Sequence, residues 1–278
     1  LRICRKVRVP FVFRALDVSH KIRRTKFSLI VKVAERYIYR NSTWVSCNNS
    51  AMRRYCVSLG APREKASVEL PPLDLGHFLT DGSGQSQLRA KLGIEDNEIV
   101  IVYMGSFFYF SGLVQVIQKL SEVAEKPKLL LIGGGEQEAE LRELVCKLGL
   151  DEYVVFTGFV GFSELPDYLA IADVAINSMQ PSLVADAALP NKVLQYMAVG
   201  LPVVSTHLSG LASLFPSADG LRLVPSPEEV LRESLSIAAS PNIHQMGEAN
   251  RRLVANTFEK ETSVDEFEKL LTRVWSSH

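Results

Sequence analysis

Short apolar runs alternate with amphipathic stretches along most of this 278-residue chain. Runs with the length and composition of β-strands occupy residues 9–17, 43–47, 99–105, 128–133, 153–158, 173–178, 201–206 and 220–224. Several of them are apolar without alternation, which is typical of strands that are covered on both faces. Strands that alternate with helices predict an α/β protein with a doubly wound parallel sheet and right-handed crossovers.

The stretches between the apolar runs carry the signals of helices. In residues 136–148, apolar side chains recur at helical spacing until Gly149 ends the pattern; they are Leu141, Leu144, Val145 and Leu148. One face of an earlier helix is predicted to consist of Phe27, Ile30, Val31, Ala34 and Ile38. Further helices are predicted at residues 51–59, before Gly200, after Ser226, and at 242–257 and 261–276.

Two segments with Pro, Gly and polar residues, 68–78 and 81–87, interrupt this alternation and predict a linker. We therefore expect a domain boundary near residue 80. Residues 1–80 hold only the end of an α/β domain, which is too little to close a core alone. No signal peptide is visible and the first residue is Leu, so we expect a fragment of a longer protein.

The composition is that of a globular protein, with 47% hydrophobic and 22% charged residues, and it excludes a disordered chain. No apolar run approaches the roughly 20 residues of a membrane-spanning helix. No zinc site is expected, because CxxC spacing is lacking among Cys4, Cys47, Cys56 and Cys146. We interpret the cysteines as reduced thiols of a cytoplasmic protein.

Charge is unevenly distributed along the chain. Residues 1–40 hold twelve Lys and Arg against only Asp17 and Glu35, a formal charge of +10 in a chain whose net charge is zero. Such a basic end can meet phosphates, anionic lipid head groups or nucleic acid. It also fits a solvated surface whose acidic partner lies in sequence outside this chain.

Glycine-rich turns follow two of the predicted strands, at the edge where open α/β sheets bind ligands. Gly105 and Ser106 follow the strand at 99–105, and a backbone without a Cβ can approach a phosphate closely there. Gly133–Gly135 and Glu136 follow the next strand and begin a helix, so their amides can meet an anion or sugar hydroxyls. Neither turn is a GxGxxG or P-loop motif, and ordinary packing of a helix on a strand would give the same residues.

A third segment places polar side chains at the start of a helix. Pro190 suits the first turn, and Asn191, Lys192 and Gln195 then lie near the amino end, where they could contact a phosphate and ribose hydroxyls. The alternative is that Lys192 and Gln195 are merely solvated.

Four ordered blocks resemble the donor-binding domain of retaining GT-B glycosyltransferases of the GT4 type. They are VYMGSF, LLLIGGGEQEAELRELVCKLGL, VVFTGFVGFSELPDYLAIADVAI and LPNKVLQYMAVGLPVVST. The segment RNSTWVSCNNSAMRRYCVSLGAP is similar to the end of the family's acceptor domain. The resemblance implies a GT-B fold with two Rossmann-like doubly wound domains, of which the amino-terminal one is incomplete here.

The family's domains divide this chain into three parts. Residues 1–80 correspond to the carboxyl-terminal part of the acceptor-binding domain, and residues 81–245 to the nucleotide-sugar donor-binding domain. Residues 246–278 correspond to the helices that pack back toward the amino-terminal domain. About a hundred residues that usually begin the acceptor domain are absent from this sequence.

The resemblance also implies roles for individual residues. Gly105 and Ser106 would lie by the donor phosphates, and Gly133, Gly134, Gly135 and Glu136 would line the nucleotide and sugar cleft. Phe159 and Val160 would present their backbone to the base. Asn191, Lys192 and Gln195 would face the diphosphate and the ribose.

Two residues depart from the family's pattern. The ribose-binding Glu is Gln195 here, and the Glu eight residues earlier is Ala187. Gln can still hydrogen-bond a ribose hydroxyl but loses the charge-assisted bond, which is typically worth about 1 kcal/mol more. The Arg and Lys that often follow the first glycine turn are also absent, since that turn reads GSFFYFSG.

The implied activity is transfer of a hexose from a nucleoside-diphosphate sugar to a glycan or lipid-linked acceptor, with retention at the anomeric carbon. No DxD motif occurs, which favours an enzyme without metal or other cofactor. No catalytic base is assigned, and His20 and His77 are the candidates on the acceptor side. Two alternatives are an inactive nucleotide-sugar-binding protein and a nucleotide-sugar epimerase. A third, a Rossmann dehydrogenase, is disfavoured because the chain lacks a GxGxxG motif.

The expected partners are the nucleotide-sugar donor and the acceptor, with no nucleic acid. The basic amino-terminal region, with Phe11, Phe13 and Phe27, predicts peripheral contact with a membrane surface, at the cytoplasmic face of the inner membrane.

Overall fold

The residues that the structure describes form two separate parallel sheets. A computed structural model describes residues 1–18, 27–80 and 82–277. In the first part, the strands run in the order β1-β2-β3; they are β1 (Val12–Ala15), β2 (Trp44–Cys47) and β3 (Ala66–Val68). The helices of this part are α1 (Arg2–Lys6), α2 (Ser28–Asn41) and α3 (Ser50–Ser58), with 3-10 turns at Arg63–Lys65 and Leu75–Phe78.

The second sheet has six strands. They are β4 (Val100–Ser106), β5 (Lys128–Gly134), β6 (Val154–Gly158), β7 (Val174–Asn177), β8 (Val203–Thr206) and β9 (Leu221–Val224). The helices are α4 (Gln85–Lys91), α5 (Leu113–Glu122), α6 (Glu138–Lys147), α7 (Leu165–Ala170), α8 (Leu183–Ala187), α9 (Asn191–Val199), α10 (Ser209–Leu214), α11 (Pro227–Ala238), α12 (Ile243–Thr257) and α13 (Lys260–Ser276).

The order of the second sheet is β6-β5-β4-β7-β8-β9, and every pairing in it is parallel. The direction of winding therefore reverses between β4 and β7. In open α/β sheets of this order, the crevice beyond the carboxyl ends of the strands at the reversal is the usual ligand site. The predicted α/β class with doubly wound parallel strands is confirmed.

Both faces of the six-stranded sheet are covered, as the unbroken apolar runs predict. Along β4, Val100, Val102 and Met104 belong to one buried cluster, whereas Ile101 and Tyr103 belong to the other. Consecutive residues of a strand point to opposite faces, so each face has its own core.

The first sheet has a third, smaller core, which includes Tyr39, Met52 and Cys56. The predicted face of α2 is wrong in part. Glu35 and Tyr39 are the buried residues of that helix, whereas Ile30 is 64% exposed and Ala34 is also exposed. The pattern misled because an exposed apolar stripe runs along the helix beside its true core-facing side.

The chain crosses between the sheets twice, and the two crossings touch. The Leu73 N–H donates to the carbonyl of Phe258 at 3.0 Å, and Lys260 pairs with Asp74 at 3.2 Å. Beyond this point α13 packs on the first sheet, where the Arg273 guanidinium lies over the Trp44 ring. The boundaries drawn at residues 80 and 245 stay a prediction.

Two further details of the fold were not predicted from the sequence. β3 is only three residues long and precedes a Pro-containing segment that was interpreted wholly as linker. The helix predicted after Ser226 does begin at Pro227, but without a capping hydrogen bond from the Ser226 side chain. Within the described ranges, no helix is long and apolar enough to cross a membrane.

Candidate functional site

A cleft of about 730 Å³ separates the carboxyl ends of the two sheets. From the second sheet, it is lined by Tyr103, Ser106, Phe108, Phe110, Ser111, Met179, Ala188, Leu189, Pro190, Asn191 and Lys192. From the first sheet and the linker, it is lined by Arg14, Leu16, Asp17, Asn48, Pro71 and Pro72. The cleft therefore lies where the reversal of strand order predicts a ligand.

The amino end of α9 points into this cleft. The helix begins at Asn191 after Pro190, and no side chain caps it. Its first backbone N–H groups carry the positive end of the helix dipole, which favours an anion. Asn191 and Lys192 thus line the cleft, and their contact with a phosphate stays a prediction.

Lys192 lies across the end of β4. Its Nζ is 3.9 Å from the centre of the Tyr103 ring, and a Cβ built on Gly105 would be 3.1 Å from the same Nζ. Burial lowers the pKa of Lys192 to about 7. The side chain keeps some solvent exposure through the cleft, so a ligand can reach it.

Tyr196 fixes the rotation of α9 against the sheet. It lies one turn after Lys192, and its hydroxyl accepts a hydrogen bond from the Met104 N–H in β4. Burial raises the pKa of Tyr196 well above its usual range, so the ring stays neutral.

The turn after β4 presents aromatic rings to the cleft. Phe108 and Phe110 stack with their centroids 5.1 Å apart. Backbone bonds hold this turn, since Phe107 N–H donates to the Gly134 carbonyl and Ser111 N–H to the Phe108 carbonyl. The sequence had placed an anion-binding turn here but missed that its wall is aromatic.

The glycines of the two turns lie side by side, because β4 and β5 pair Gly105 with Gly133 and Ser106 with Gly134. Gly133 has a φ of +122°, and a Cβ there would lie 2.2 Å from the Gly105 carbonyl oxygen. Close packing of the two strand ends therefore requires glycine at position 133, whatever else binds there.

The remaining predicted residues surround the cleft rather than line it, within the part of the chain that the structure describes. Phe159 is 83% exposed, and its ring lies above Gly134, where a Cβ would be 3.1 Å from the ring. Val160 packs against the core, and Glu136 is exposed at the start of the turn before α6. Gln195 lies one helical turn beyond Asn191 and is half-buried.

The opposite wall contains polar residues that the sequence did not single out as a site. Asp17 follows β1 and Asn48 follows β2, while Arg14 lies within β1. Burial raises the pKa of Asp17. Asp17 and Asn48 could have been recognised as site candidates from the sequence, because each lies at or just after the end of a predicted parallel strand. His20 lies outside the described residues, and His77 is away from the cleft, with its ring stacked on Phe162 at 3.9 Å.

One buried residue joins the two walls. The Asn49 side-chain amide donates to the Ala187 carbonyl at 2.9 Å, while its oxygen accepts from the Met52 N–H and caps α3. Ala187 itself is buried among residues of the first sheet. The segment that leads into α9 is thus held against the amino-terminal part.

No cluster of three or more His, Cys, Asp or Glu that could hold a metal ion occurs among residues 1–18, 27–80 and 82–277. The expectation of a metal-independent site stays a prediction.

The family model and the related proteins that match this chain all belong to glycosyltransferases. Residues 98–239 match the family model described as glycosyl transferases group 1. The chain is 26% identical over 200 residues to an uncharacterized glycosyltransferase of Methanocaldococcus jannaschii, covering 68% of this chain and 50% of that protein. It is also 26% identical over 239 residues to the lipopolysaccharide core biosynthesis glycosyltransferase LpsE of Rhizobium meliloti, covering 84% and 65%.

Among solved structures, the fold is similar to that of Anabaena HepE in complex with UDP-glucose. The TM-score is 0.85 at 20% sequence identity, over 97% of this chain and 74% of that one. The chain spans about half the length of the curated relatives that it matches.

Proposed function

This chain belongs to the glycosyl transferases group 1 family and has the GT-B fold, and on that basis we propose that it is the donor-binding part of a retaining glycosyltransferase. The donor would be a nucleoside-diphosphate hexose held in the cleft between the two sheets. The acceptor would be a hydroxyl group of a glycan or a lipid-linked sugar. The position of Lys192 at the open amino end of α9 is the observation that carries this proposal.

The diphosphate is the part of the donor that the cleft suits best. Lys192 and the N–H groups at the start of α9 supply positive charge, and Ser106 and Ser111 supply hydroxyl donors beside them. The structure of Anabaena HepE with UDP-glucose supports a nucleotide sugar as the ligand class for this fold.

Transfer breaks the bond between the anomeric carbon and the diphosphate and forms a bond to the acceptor oxygen. Negative charge grows on the leaving diphosphate, and fixed dipoles with a nearby lysine stabilise it most in the transition state. Because these groups stand where a metal ion would otherwise be needed, we propose that transfer is metal-independent.

Asp17 is the carboxylate on the acceptor side of the lined cleft. We assign it the role of accepting a hydrogen bond from the incoming hydroxyl group and so orienting it toward the donor. Arg14, in the same wall, would contact an anionic group of the acceptor.

A second candidate is a nucleotide-sugar-binding protein without turnover. Two residues favour it: Gln195 replaces a carboxylate of the family's pattern, and Ala187 leaves no side chain to reach a sugar. A nucleotide-sugar epimerase remains the third alternative, without a structural feature that favours it.

Calorimetric titration of UDP and GDP tests the donor site. We expect saturable micromolar binding of one nucleotide, about fivefold tighter in Gln195→Glu, because a carboxylate strengthens the ribose contact by about 1 kcal/mol. Lys192→Met should bind at least about tenfold more weakly, since it removes a charge-assisted phosphate contact. Lys119→Met, which removes an exposed lysine on α5, is the matched control.

Absence of binding of either nucleotide to all four proteins would refute the donor site. Release of the nucleoside diphosphate from a nucleotide sugar would then separate the first two candidates. Binding without release, even with added glycan or lipid-linked acceptors, would favour the protein without turnover.

A further inference from the structure

Lys192 is held by an aromatic ring rather than by an acid. Its Nζ lies 3.9 Å from the centre of the Tyr103 ring, within the distance at which a cation and the face of a ring attract each other. Among the residues that the structure describes, no carboxylate pairs with this ammonium group and no acceptor hydrogen-bonds to it. The ring is therefore the contact that keeps the ammonium group in place, and its N–H donors remain available to a ligand.

The backbone at the end of β4 leaves room for this contact. A Cβ built on Gly105 would lie 3.1 Å from the Lys192 Nζ and 3.4 Å from its Cε. Because glycine has no side chain, the end of the lysine lies close to the backbone of the strand while its ammonium group contacts Tyr103. Gly105 and Tyr103 thus form a slot for the end of the Lys192 side chain.

The Tyr103 ring is itself fixed. Tyr103 is buried, and its ring packs on Phe107 with the centroids 6.1 Å apart. Its hydroxyl donates to the Ser106 carbonyl at 3.2 Å. Burial raises the pKa of Tyr103, against the opposing effect of a hydrogen bond with the Ser111 side chain, so the phenol stays neutral. The ring cannot turn away from Lys192 without losing these contacts.

The slot brings a positive charge to a turn that has none of its own. The turn after β4 reads GSFFYFSG over residues 105–112 and contains no Lys or Arg. Its Ser106 and Ser111 line the same cleft as Lys192, which comes from α9 on the other side of the strand end. A lysine that is already ordered loses less conformational entropy when an anion binds.

We propose that Tyr103 is a positioning residue of the donor site, whose ring holds the Lys192 ammonium group ready for the phosphates of the donor. This inference rests on the proposed function, because it takes a nucleoside diphosphate as the ligand. It adds a residue that the sequence shows only as part of an apolar strand. Tyr103 acts through Lys192, so its effect on nucleotide binding should depend on the presence of that lysine.

Calorimetric titration of UDP and GDP into four proteins tests this dependence. They are the wild type, Tyr103→Leu, Lys192→Met and the double variant. For the nucleotide that binds the wild type, we expect Tyr103→Leu to weaken binding by about fivefold when Lys192 is present, and by less than about twofold when it is absent. Tyr103→Phe keeps the ring and should bind within about twofold of the wild type.

A second lysine over a tyrosine ring supplies the matched control. The Lys126 Nζ lies 5.7 Å from the centre of the Tyr153 ring. Tyr153 immediately precedes β6, so this pair lies at the amino ends of the strands, away from the cleft. Tyr153→Leu removes the same kind of contact from the same sheet and should leave nucleotide affinity unchanged.

NMR of the protein with isotopically labelled dimethyl-lysines tests the placement of Lys192 without any nucleotide. Protons above the face of an aromatic ring resonate upfield, so one dimethyl-lysine signal of the wild type should lie upfield of the others. It should be missing in Lys192→Met, remain upfield in Tyr103→Phe and move to the common position in Tyr103→Leu. If Tyr103→Leu does not fold, the spectra of the other three proteins still test the placement.

Three outcomes would overturn this inference and leave the donor site standing. They are wild-type affinity in Tyr103→Leu, an equal loss of affinity with and without Lys192, and a Lys192 signal at the common position in the wild type. The second would show that Tyr103 acts through the fold. Absence of nucleotide binding by a wild type that shows the upfield signal would instead refute the donor site, and Tyr103 would then hold a lysine with no phosphate to meet.

Discussion

The hydroxyl oxygen of Tyr196 lies 2.6 Å from the backbone nitrogen of Met104 and accepts its hydrogen bond. Both residues are buried, and β4 pairs with β7 only through Ile101 and Val102, so this N–H lies beyond the paired part of that edge. A tyrosine on the helix therefore completes the hydrogen bonding of the strand. The same contact sets the position of Lys192, one turn earlier on α9.

Tyr196→Phe should lower the free energy of unfolding by about 1–3 kcal/mol, because it leaves a buried N–H without an acceptor. Urea denaturation measures the change. Tyr37→Phe, at an exposed position of α2, is the control and should be nearly neutral. A loss no larger than that of the control would mean that water or another group replaces the hydroxyl.

Nucleotide binding should depend on the protonation of Lys192. Its pKa is lowered to about 7 by burial, so the free protein loses this charge as pH rises above neutrality, and an anionic ligand favours the charged form. We expect UDP affinity to fall by up to about tenfold per pH unit above 7. Titration in buffers of different ionisation enthalpy should also detect proton uptake on binding.

The same pKa shift has a consequence for stability. Since the folded state holds this proton less tightly than the unfolded chain, stability should rise with pH from about 7 toward the usual lysine range of about 10.4. Lys192→Met should remove that rise and flatten the pH dependence of UDP binding. Identical pH profiles for Lys192→Met and the wild type would contradict both expectations.

Gly133→Ala should be far more destabilising than Gly149→Ala. Both glycines have positive φ, but a Cβ on Gly133 would lie 2.2 Å from a carbonyl oxygen, whereas a Cβ on Gly149 would meet nothing within 4 Å. Gly149→Ala should cost only the conformational term of about 1 kcal/mol. Thermal melting of the two variants checks the difference, and equal losses would show that the strand ends adapt to a side chain.

Much of this architecture could be predicted because its signals are local. The strands that meet at the reversal were recognisable as unbroken apolar runs, and Gly200 does end α9 with a φ of +92°. The position of Lys192 could also be predicted, since a helix that follows a parallel strand starts at the carboxyl edge of the sheet. The structure gives the position of each predicted site residue. The ligand that each residue contacts stays a prediction.

Other features depend on contacts between distant parts of the chain. The aromatic wall of Phe108 and Phe110 requires the backbone bonds that fold the turn, and no periodicity reports them. Helix α2 has two apolar sides, so periodicity could not show which one faces the sheet. Asp17 became a candidate only when the first sheet was placed opposite Lys192 across the cleft.

Asn49 offers a test of the contact between the two walls. Asn49→Ser should keep the cap of α3 but lose the bond to the Ala187 carbonyl, whereas Asn49→Ala should lose both. We expect a loss of about 1 kcal/mol for Ser and about 1 kcal/mol more for Ala. Urea denaturation measures both, and equal stability of the two variants would show that the cap contributes nothing.

The two crossings between the sheets, at Leu73 and Phe258, lie against each other and are tied by the pair of Lys260 with Asp74. Because the two crossings lie side by side, we expect the two sheets to move relative to each other about an axis that passes through them. Opening of the cleft would therefore bend the chain near residues 73 and 258 together. It would also break the hydrogen bond from the Asn49 side chain to the Ala187 carbonyl. The hydrogen bond from the Ser50 hydroxyl to the Ser213 hydroxyl and the packing of Ala187 in the core of the first sheet would be lost with it, so these contacts together would set how readily a bulky ligand enters and leaves.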